Sequence, residues 1–222
     1  RLLTHWACLV GQLGAEEVKE AYKKSDLDFH QQTADMAGVE RRLAKTIGLG
    51  VMYGMGYNKM ARELDIDPQD AKKMLQDFRE RVPFMQGMLE AVMNRANSKG
   101  IIRTLLGRKC RFDLWEPTQW GVHKALPHNQ AKVEYGEAIK RAGTYKALNR
   151  LIQGSAADQT KKAMVDVYEE LGVVPLIQVH DELDCSVKDE KEAKEIQRVM
   201  ETCVELEVPS KADIDLGESW GG

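Results

Sequence analysis

PLIQVHDELDCSV, Pro175 to Val187, consists of two short apolar runs that meet at a charged cluster, His180, Asp181 and Glu182. Apolar runs of this length bounded by polar residues read as strands, and so tight a junction reads as a hairpin. Two-residue hairpin turns usually take Gly or Asn, and neither is present. One reading of the cluster is a solvated polar turn. The chemical reading is a carboxylate, Asp181, held on a rigid hairpin to bind a hard divalent cation such as Mg²⁺, which favours oxygen ligands and keeps several waters. One carboxylate does not hold two metal ions, so a second acidic strand has to come from elsewhere.

After the hairpin, KDEKEAKEIQRVMETCVEL reads as an amphipathic helix and KADIDLGESWGG as a last strand-like run. Before it, Tyr135 to about Leu171 has helical periodicity with interruptions expected at Gly143 and Gly154. Asn149 and Gln153 are four apart there, a spacing suited to an acceptor-rich surface such as a minor groove. The same stretch also reads as a capped helix start, with Ser155 as N-cap and Asp158 at N3, and both readings can hold together.

A second helix spans Val39 to about Met55, with Arg41, Lys45, Leu49 and Tyr53 at steps of four. Each such step advances about 40° beyond a full turn, so the set winds over roughly a third of the circumference. Two cations one turn apart can follow a polyphosphate, and a ring further along can stack on a base. Alternatively, Arg41 and Lys45 form a solvated stripe while Leu49 and Tyr53 pack. Gly48 and Gly50 lie inside this helix at about 1 kcal/mol each relative to Ala, which asks for a packing or ligand reason. GLGVMYGMG is not a dinucleotide loop, because its spacing is not GxGxxG and no strand precedes it.

Residues 1–24 read as helix broken at Gly11 and Gly14, and SDLDFHQQTADMAG as a short helix with Ser25, Asp26 and Asp28 as capping candidates. A mainly helical block follows, with boundaries at Pro68 and Pro83. IIRTLLGRKCRF alternates like a hairpin around Gly107, and DLWEPTQWGVHKALPHNQ reads as a surface excursion. Helices, hairpin, helix and strands in this order predict an α+β fold, with helices on one face of an antiparallel sheet.

The chain has 222 residues and a net charge of −3, enough length for one domain or two subdomains. Its middle is basic: Lys99, Arg103, Arg108, Lys109, Arg111, Lys124, Lys132, Lys140, Arg141, Lys146 and Arg150 face only Asp113, Glu116, Glu134 and Glu137. Cys8, Cys110, Cys185 and Cys203 contain no CxxC pair, which argues against a zinc ribbon or a disulfide framework and fits a reducing, intracellular compartment. Neither a membrane-length apolar run nor a signal-peptide pattern is present. The first residue is Arg1, directly inside an apolar stripe, and the expectation is that the sequence begins mid-fold.

Three separated motifs agree with one family. RRLAKTIGLGVMYGMG resembles the finger-helix motif of family A DNA polymerases, the bacterial DNA polymerase I type; LNRLIQGSAAD resembles that family's primer-template helix, and QVHDEL its third polymerase motif. RLLTHWA is similar to the residues just after its first motif, and DIDLGESW to its C-terminal strand. GRKCRFDLWEP and YKALNRLIQGSAADQTKKAM resemble the bacteriophage branch, which would place the protein in a bacterial host cytoplasm.

The resemblance implies a right-hand polymerase fold, with helical fingers over 25–142 and palm over 1–24 and 143–222. It implies that Asp181 is a metal ligand supported by Glu182, with two Mg²⁺ ions in the site. Lys45 would contact the deoxynucleoside triphosphate and protonate the leaving pyrophosphate, with Arg41 and His30 also on the phosphates. Leu49 would lie by the sugar and Tyr53 at the nascent base pair. Asn149, Gln153, His180 and Arg1 would face the primer-template DNA. The reaction implied is in-line attack of a primer 3′-hydroxyl on the α-phosphate.

Three departures accompany the resemblance: Leu49 stands where the family usually has Phe or Tyr, Gly48 where it has Asn, and Tyr145, next to Lys146, where Arg is common. The family's first motif reads D-Y-S-Q-x-E-L-R, and Arg1 aligns with its last residue. The expectation is therefore a catalytically incomplete portion that needs an N-terminal polymerase piece carrying the first catalytic Asp and the thumb. The alternative is a non-catalytic nucleic-acid-binding module that retains the polymerase fold.

Overall fold

Capping chemistry sets several helix boundaries in the computed structural model, which describes residues 1–24, 28–119, 121 and 123–219. Helices α1 (Leu2–Leu9) and α2 (Ala15–Lys24) are separated by Gly11 and Gly14, both at positive φ. Asp28 caps α3 (Phe29–Ala37) by accepting from the N–H groups of His30 and Gln31, and Gly38 ends it in the left-handed conformation. Ser25 and Asp26, the other capping candidates, lie outside the described residues. Next come α4 (Arg41–Met52) and α5 (Tyr57–Leu64). Asp67 then caps α6 (Pro68–Arg81), with Pro68 in its first turn, and α7 (Pro83–Lys99) starts on Pro83.

The main core is built around α7. Its Phe84, Met85 and Met88 are fully buried, against Ile47 and Val51 of α4 and Phe78 of α6. Packing is tight at Gly50 but does not demand glycine at position 48, where an added Cβ would only reach ordinary contact. A Cβ on Gly48 would stand 3.6 Å from Met85 Cε, and one on Gly50 would stand 3.1 Å from Met55 Sδ.

Strands β1 (Ile101–Arg103) and β2 (Lys109–Arg111) form the expected hairpin, with Gly107 at positive φ donating its N–H to the Thr104 carbonyl. The next stretch lies largely at the surface, as its Pro and Trp content suggests, but it is ordered into strands. There β3 (Leu114–Pro117) pairs on one side with β4 (Leu126–Pro127) and, after α8 (His128–Tyr135), on the other with β5 (Ile139–Arg141). Trp115 anchors this sheet between the ring of His128 and the guanidinium of Arg141, 4.7 Å away in each case.

A 3₁₀ turn (Thr144–Lys146) leads into α9 (Ala147–Leu171), then β6 (Pro175–Val179), β7 (Glu182–Cys185) and α10 (Glu190–Thr202). Helix α9 begins well after Tyr135 and runs through Gly154 without a break, so Ser155 is an interior residue and not an N-cap. A smaller core of Val167, Val173, Ile196 and Val199 joins α9 to α10.

The α+β class holds, but the sheet does not form one layer. The described strands make three separate antiparallel sheets, of two, three and two strands. Residues 211–217 carry no strand, unlike the strand-like run their sequence suggests. No helix among the described residues is long and apolar enough to cross a membrane.

Candidate polymerase site

Helix α4 buries Ala44, Ile47, Gly48 and Val51 and turns Arg41, Lys45 and Tyr53 to solvent, with Leu49 half-buried between them. The amphipathic period thus places the cationic row outward. Arg41 Nε sits 2.7 Å from Asp28 Oδ2, which fastens the start of α4 to the cap of α3. That hydrogen bond, with the N–H groups at the helix start, holds the Asp28 carboxyl below its ordinary value.

His30 lies in the same neighbourhood. Its pKa falls below 6.5, first through burial and then through the positive charge of Lys45, with Asp28 opposing and Arg41 adding to the fall. A neutral imidazole beside two cations has electrostatic room for an anion.

The other end of α4 meets α9. Gln153 Nε2 is 3.5 Å from the Tyr53 hydroxyl, a long contact between residues a hundred positions apart. Gly54 follows at φ +69, and a Cβ there would lie 2.9 Å from the Tyr145 carbonyl oxygen, so glycine is needed for both conformation and space. Lys146 places its ammonium 5.4 Å from the Tyr145 ring centre. Asn149, half-buried, precedes Gln153 by about one turn of α9.

Helix α9 also packs against both strands of the third sheet. Val179 pairs with Glu182, which leaves His180 and Asp181 as a two-residue turn. His180 adopts φ +54, the left-handed region a hairpin turn demands, and this resolves the missing glycine. Its carbonyl accepts from Gln178 Nε2 at 2.5 Å. Asp181 and Glu182 are exposed at the tip, and Asp181 makes no hydrogen bond or ion pair among the described residues.

An unpaired carboxylate on a stiff turn fits one ligand position of a hard divalent ion. Among the described residues, however, no three metal-ligating side chains gather. This chain's donors therefore suit part of a metal site.

The structure thus forms three groupings from the candidate residues: His30 with Arg41 and Lys45, Tyr53 with Gln153, and His180 with Asp181 and Glu182. Arg1 is engaged elsewhere, its guanidinium 4.8 Å from the Tyr22 ring centre and donating to the Pro209 carbonyl at 2.6 Å. A cavity of about 480 Å³ lined by Val39, Ile47, Ile66, Met74 and Phe78 opens behind α4, and none of the candidate residues lines it.

One cluster went unread in the sequence. Ser155 and Asp158, taken there as a cap, are buried where α9 meets the β1–β2 hairpin. The small residues of QGSAA inside a helical period were the available signal.

A helical block is thus joined to a carboxylate-bearing hairpin by one long helix, α9. The structure aligns over 99% of its length with a chain described as the POL domain of Pol1 from M. smegmatis in complex with DNA primer-template and dNTP, with a TM-score of 0.75 and 27% identity, covering 38% of that chain. Residues 9–222 match the family model for DNA polymerase family A, and the chain belongs to that family.

A DNA-directed DNA polymerase of Pseudomonas phage M6 is 37% identical across the whole of this chain, which covers 36% of that protein. DNA polymerase I from Bacillus caldotenax is 32% identical over 92% of this chain, and the thermostable DNA polymerase I of Thermus filiformis 30% over 93%. The chain spans only about a quarter of the length of these two bacterial relatives.

Proposed function

We propose that this chain supplies the fingers (25–142) and part of the palm (1–24 and 143–222) of a template-directed DNA polymerase, which adds deoxynucleotides to a primer 3′ end. The observation that carries this reading is the Tyr53–Gln153 contact, which joins the cationic helix to the helix that also braces the carboxylate hairpin.

In this reading, Lys45 Nζ binds the incoming triphosphate and gives a proton to the leaving pyrophosphate oxygen. Arg41 exchanges its exposed pairing with Asp28 for a phosphate, and His30 takes up a proton as that negative charge arrives. Leu49 lies beside the sugar and Tyr53 beneath the nascent base pair. Asn149, Gln153 and His180 face the primer-template duplex, and Arg1 joins them only by giving up its contacts with Tyr22 and the Pro209 carbonyl. Asp181 is a ligand for Mg²⁺, with Glu182 supporting it. When bound, a pair of such ions stabilises the entering and leaving oxygens.

The second carboxylate ligand would come from a polymerase segment outside this sequence. The β6 strand offers a place for it. Leu176, Ile177 and Val179 are exposed along β6 and Val174 just before it, and the second edge of β6 pairs with no strand among the described residues. The working compartment is the cytoplasm, that of a bacterial host if the protein is phage-encoded.

Primer extension with the chain reconstituted with its upstream polymerase segment tests the reading. Asp181→Ala should lower synthesis by about a thousandfold or more, equivalent to about 4 kcal/mol, while duplex binding persists. Synthesis that survives this substitution would sink the assignment. No synthesis at all, with duplex binding intact, would favour the non-catalytic nucleic-acid-binding module. Robust extension by residues 1–222 alone would show that no second segment is needed.

A further inference from the structure

Asp28 joins two helix starts with one carboxylate. Its Oδ1 accepts the N–H groups of His30 at 2.9 Å and Gln31 at 3.1 Å in the first turn of α3, and its Oδ2 accepts from Arg41 Nε at 2.7 Å at the start of α4. Helix N–H groups and a guanidinium are the donors that a phosphate oxygen takes. The bond from Arg41 first, and the Gln31 N–H after it, keep the carboxyl ionised, so Asp28 presents a negative charge there.

The charge pattern of α4 gives this anion its place. A helix N-terminus favours negative charge, yet the first turn of α4 contains no acid and opens on Arg41 and Arg42, with Lys45 one turn on. Glu40 stands at the N-cap, but its side chain makes no capping hydrogen bond. Lys45 is exposed and makes no hydrogen bond or ion pair among the described residues. Of these three cations, only Arg41 has a carboxylate partner among the described residues, and that partner is Asp28.

We propose that Asp28 stands in for a phosphate on Arg41 in the unliganded protein, and that it thereby sets how readily the His30/Arg41/Lys45 grouping accepts a polyphosphate. The inference rests on the polymerase reading, in which this grouping receives the triphosphate, and it makes Asp28 a positioning residue of that site. A phosphate that reaches Arg41 must displace the Asp28 oxygen, so apparent affinity falls with the fraction of Arg41 left unpaired. The two side chains are 46% and 50% exposed, which leaves the contact weak enough to be exchanged. The Oδ1 side stays in the α3 cap, so the Asp28 charge remains beside the ligand and repels it.

The test is calorimetric titration of the chain with inorganic tripolyphosphate. It compares wild type, Asp28→Asn, Arg41→Ala, the double variant and Lys45→Ala. Asparagine caps a helix as well as aspartate does, so Asp28→Asn removes the charge and keeps α3; Asp28→Ser, which also caps, replaces it if the first variant fails to fold. Asp28→Asn should tighten binding about two- to fivefold, the span of an exposed ion pair. The gain should vanish in the Arg41→Ala background and shrink as salt is raised. Lys45→Ala should weaken binding.

Unchanged or weaker binding by Asp28→Asn would overturn the stand-in role alone and leave the polymerase reading in place. A gain of equal size with and without Arg41 would also overturn it, because the effect would then be one of general charge. Tripolyphosphate binding that ignores Lys45→Ala, or no binding by either wild type or Asp28→Asn, would remove the triphosphate from this grouping and overturn both.

Discussion

Two surfaces of α9 differ in how their polar groups are satisfied. Where the helix meets the β1–β2 hairpin, buried Ser155 and Asp158 collect hydrogen bonds from Trp6, Leu105, Leu106 and Arg108. Burial alone would raise the Asp158 carboxyl, but the bonds from Thr104, Leu106 and Arg108 outweigh it and hold the group below its ordinary value. Where the helix meets the β6–β7 hairpin, the polar groups stay in water. Asp181 and Glu182 are exposed and β6 shows apolar side chains. The first surface spends its polar chemistry on holding the fold; the second keeps it available for ligands.

The largest effect on stability should come from Asp158→Ala, which leaves the Leu106 N–H without its acceptor and the Arg108 guanidinium with only the Gly154 carbonyl. A loss of about 3 kcal/mol is expected, read as a fall in Tm of about 6–12 °C. By contrast, Asp181→Ala should leave thermal stability within about 0.5 kcal/mol of wild type. Equal losses at the two aspartates would erase the distinction between the surfaces.

The two turns sharpen it further. Gly107→Ala puts a Cβ at φ +81 and should destabilise by about 1–2 kcal/mol. His180→Gly removes a non-glycine residue from φ +54 and should leave denaturant stability within about 1 kcal/mol of wild type. A large loss from His180→Gly would mean that the imidazole helps hold the hairpin.

The smallest effect concerns His30. Its folded pKa is depressed, so its contribution to stability is present above the unfolded value near 6.5 and is lost as pH falls through the folded value. An NMR titration should place its midpoint below 6.5, and Lys45→Ala should move it upward. A midpoint that ignores Lys45 would separate His30 from the cationic row of α4.

Much of the local structure was legible. Asp28, Pro68 and Pro83 mark helix boundaries through their own backbone and side-chain chemistry, and Gly107 marks the first hairpin. The β3–β4–β5 sheet was not, because its pairings join segments separated by α8 and its strands contain Pro, which local rules assign to loops. Gly154 and Ser155 misled for a related reason. Inside a helix they read as a break and a cap, yet the glycine makes room for Thr104 and the serine bonds to Trp6 and Leu105.

By itself, the sequence determined what depends on neighbours within a few residues: the helical periods, the caps, the cationic row of α4, and the His180-Asp181-Glu182 hairpin whose motifs placed the chain in its family. Only the tertiary structure decided which of these meet. Gln153 reaches Tyr53, and Asp158 holds the basic hairpin, because core packing around α7 brings distant segments together and buried Ser155 and Asp158 find their partners across that packing. No local pattern carries that information, since buried partners are chosen by proximity in the fold and not along the chain.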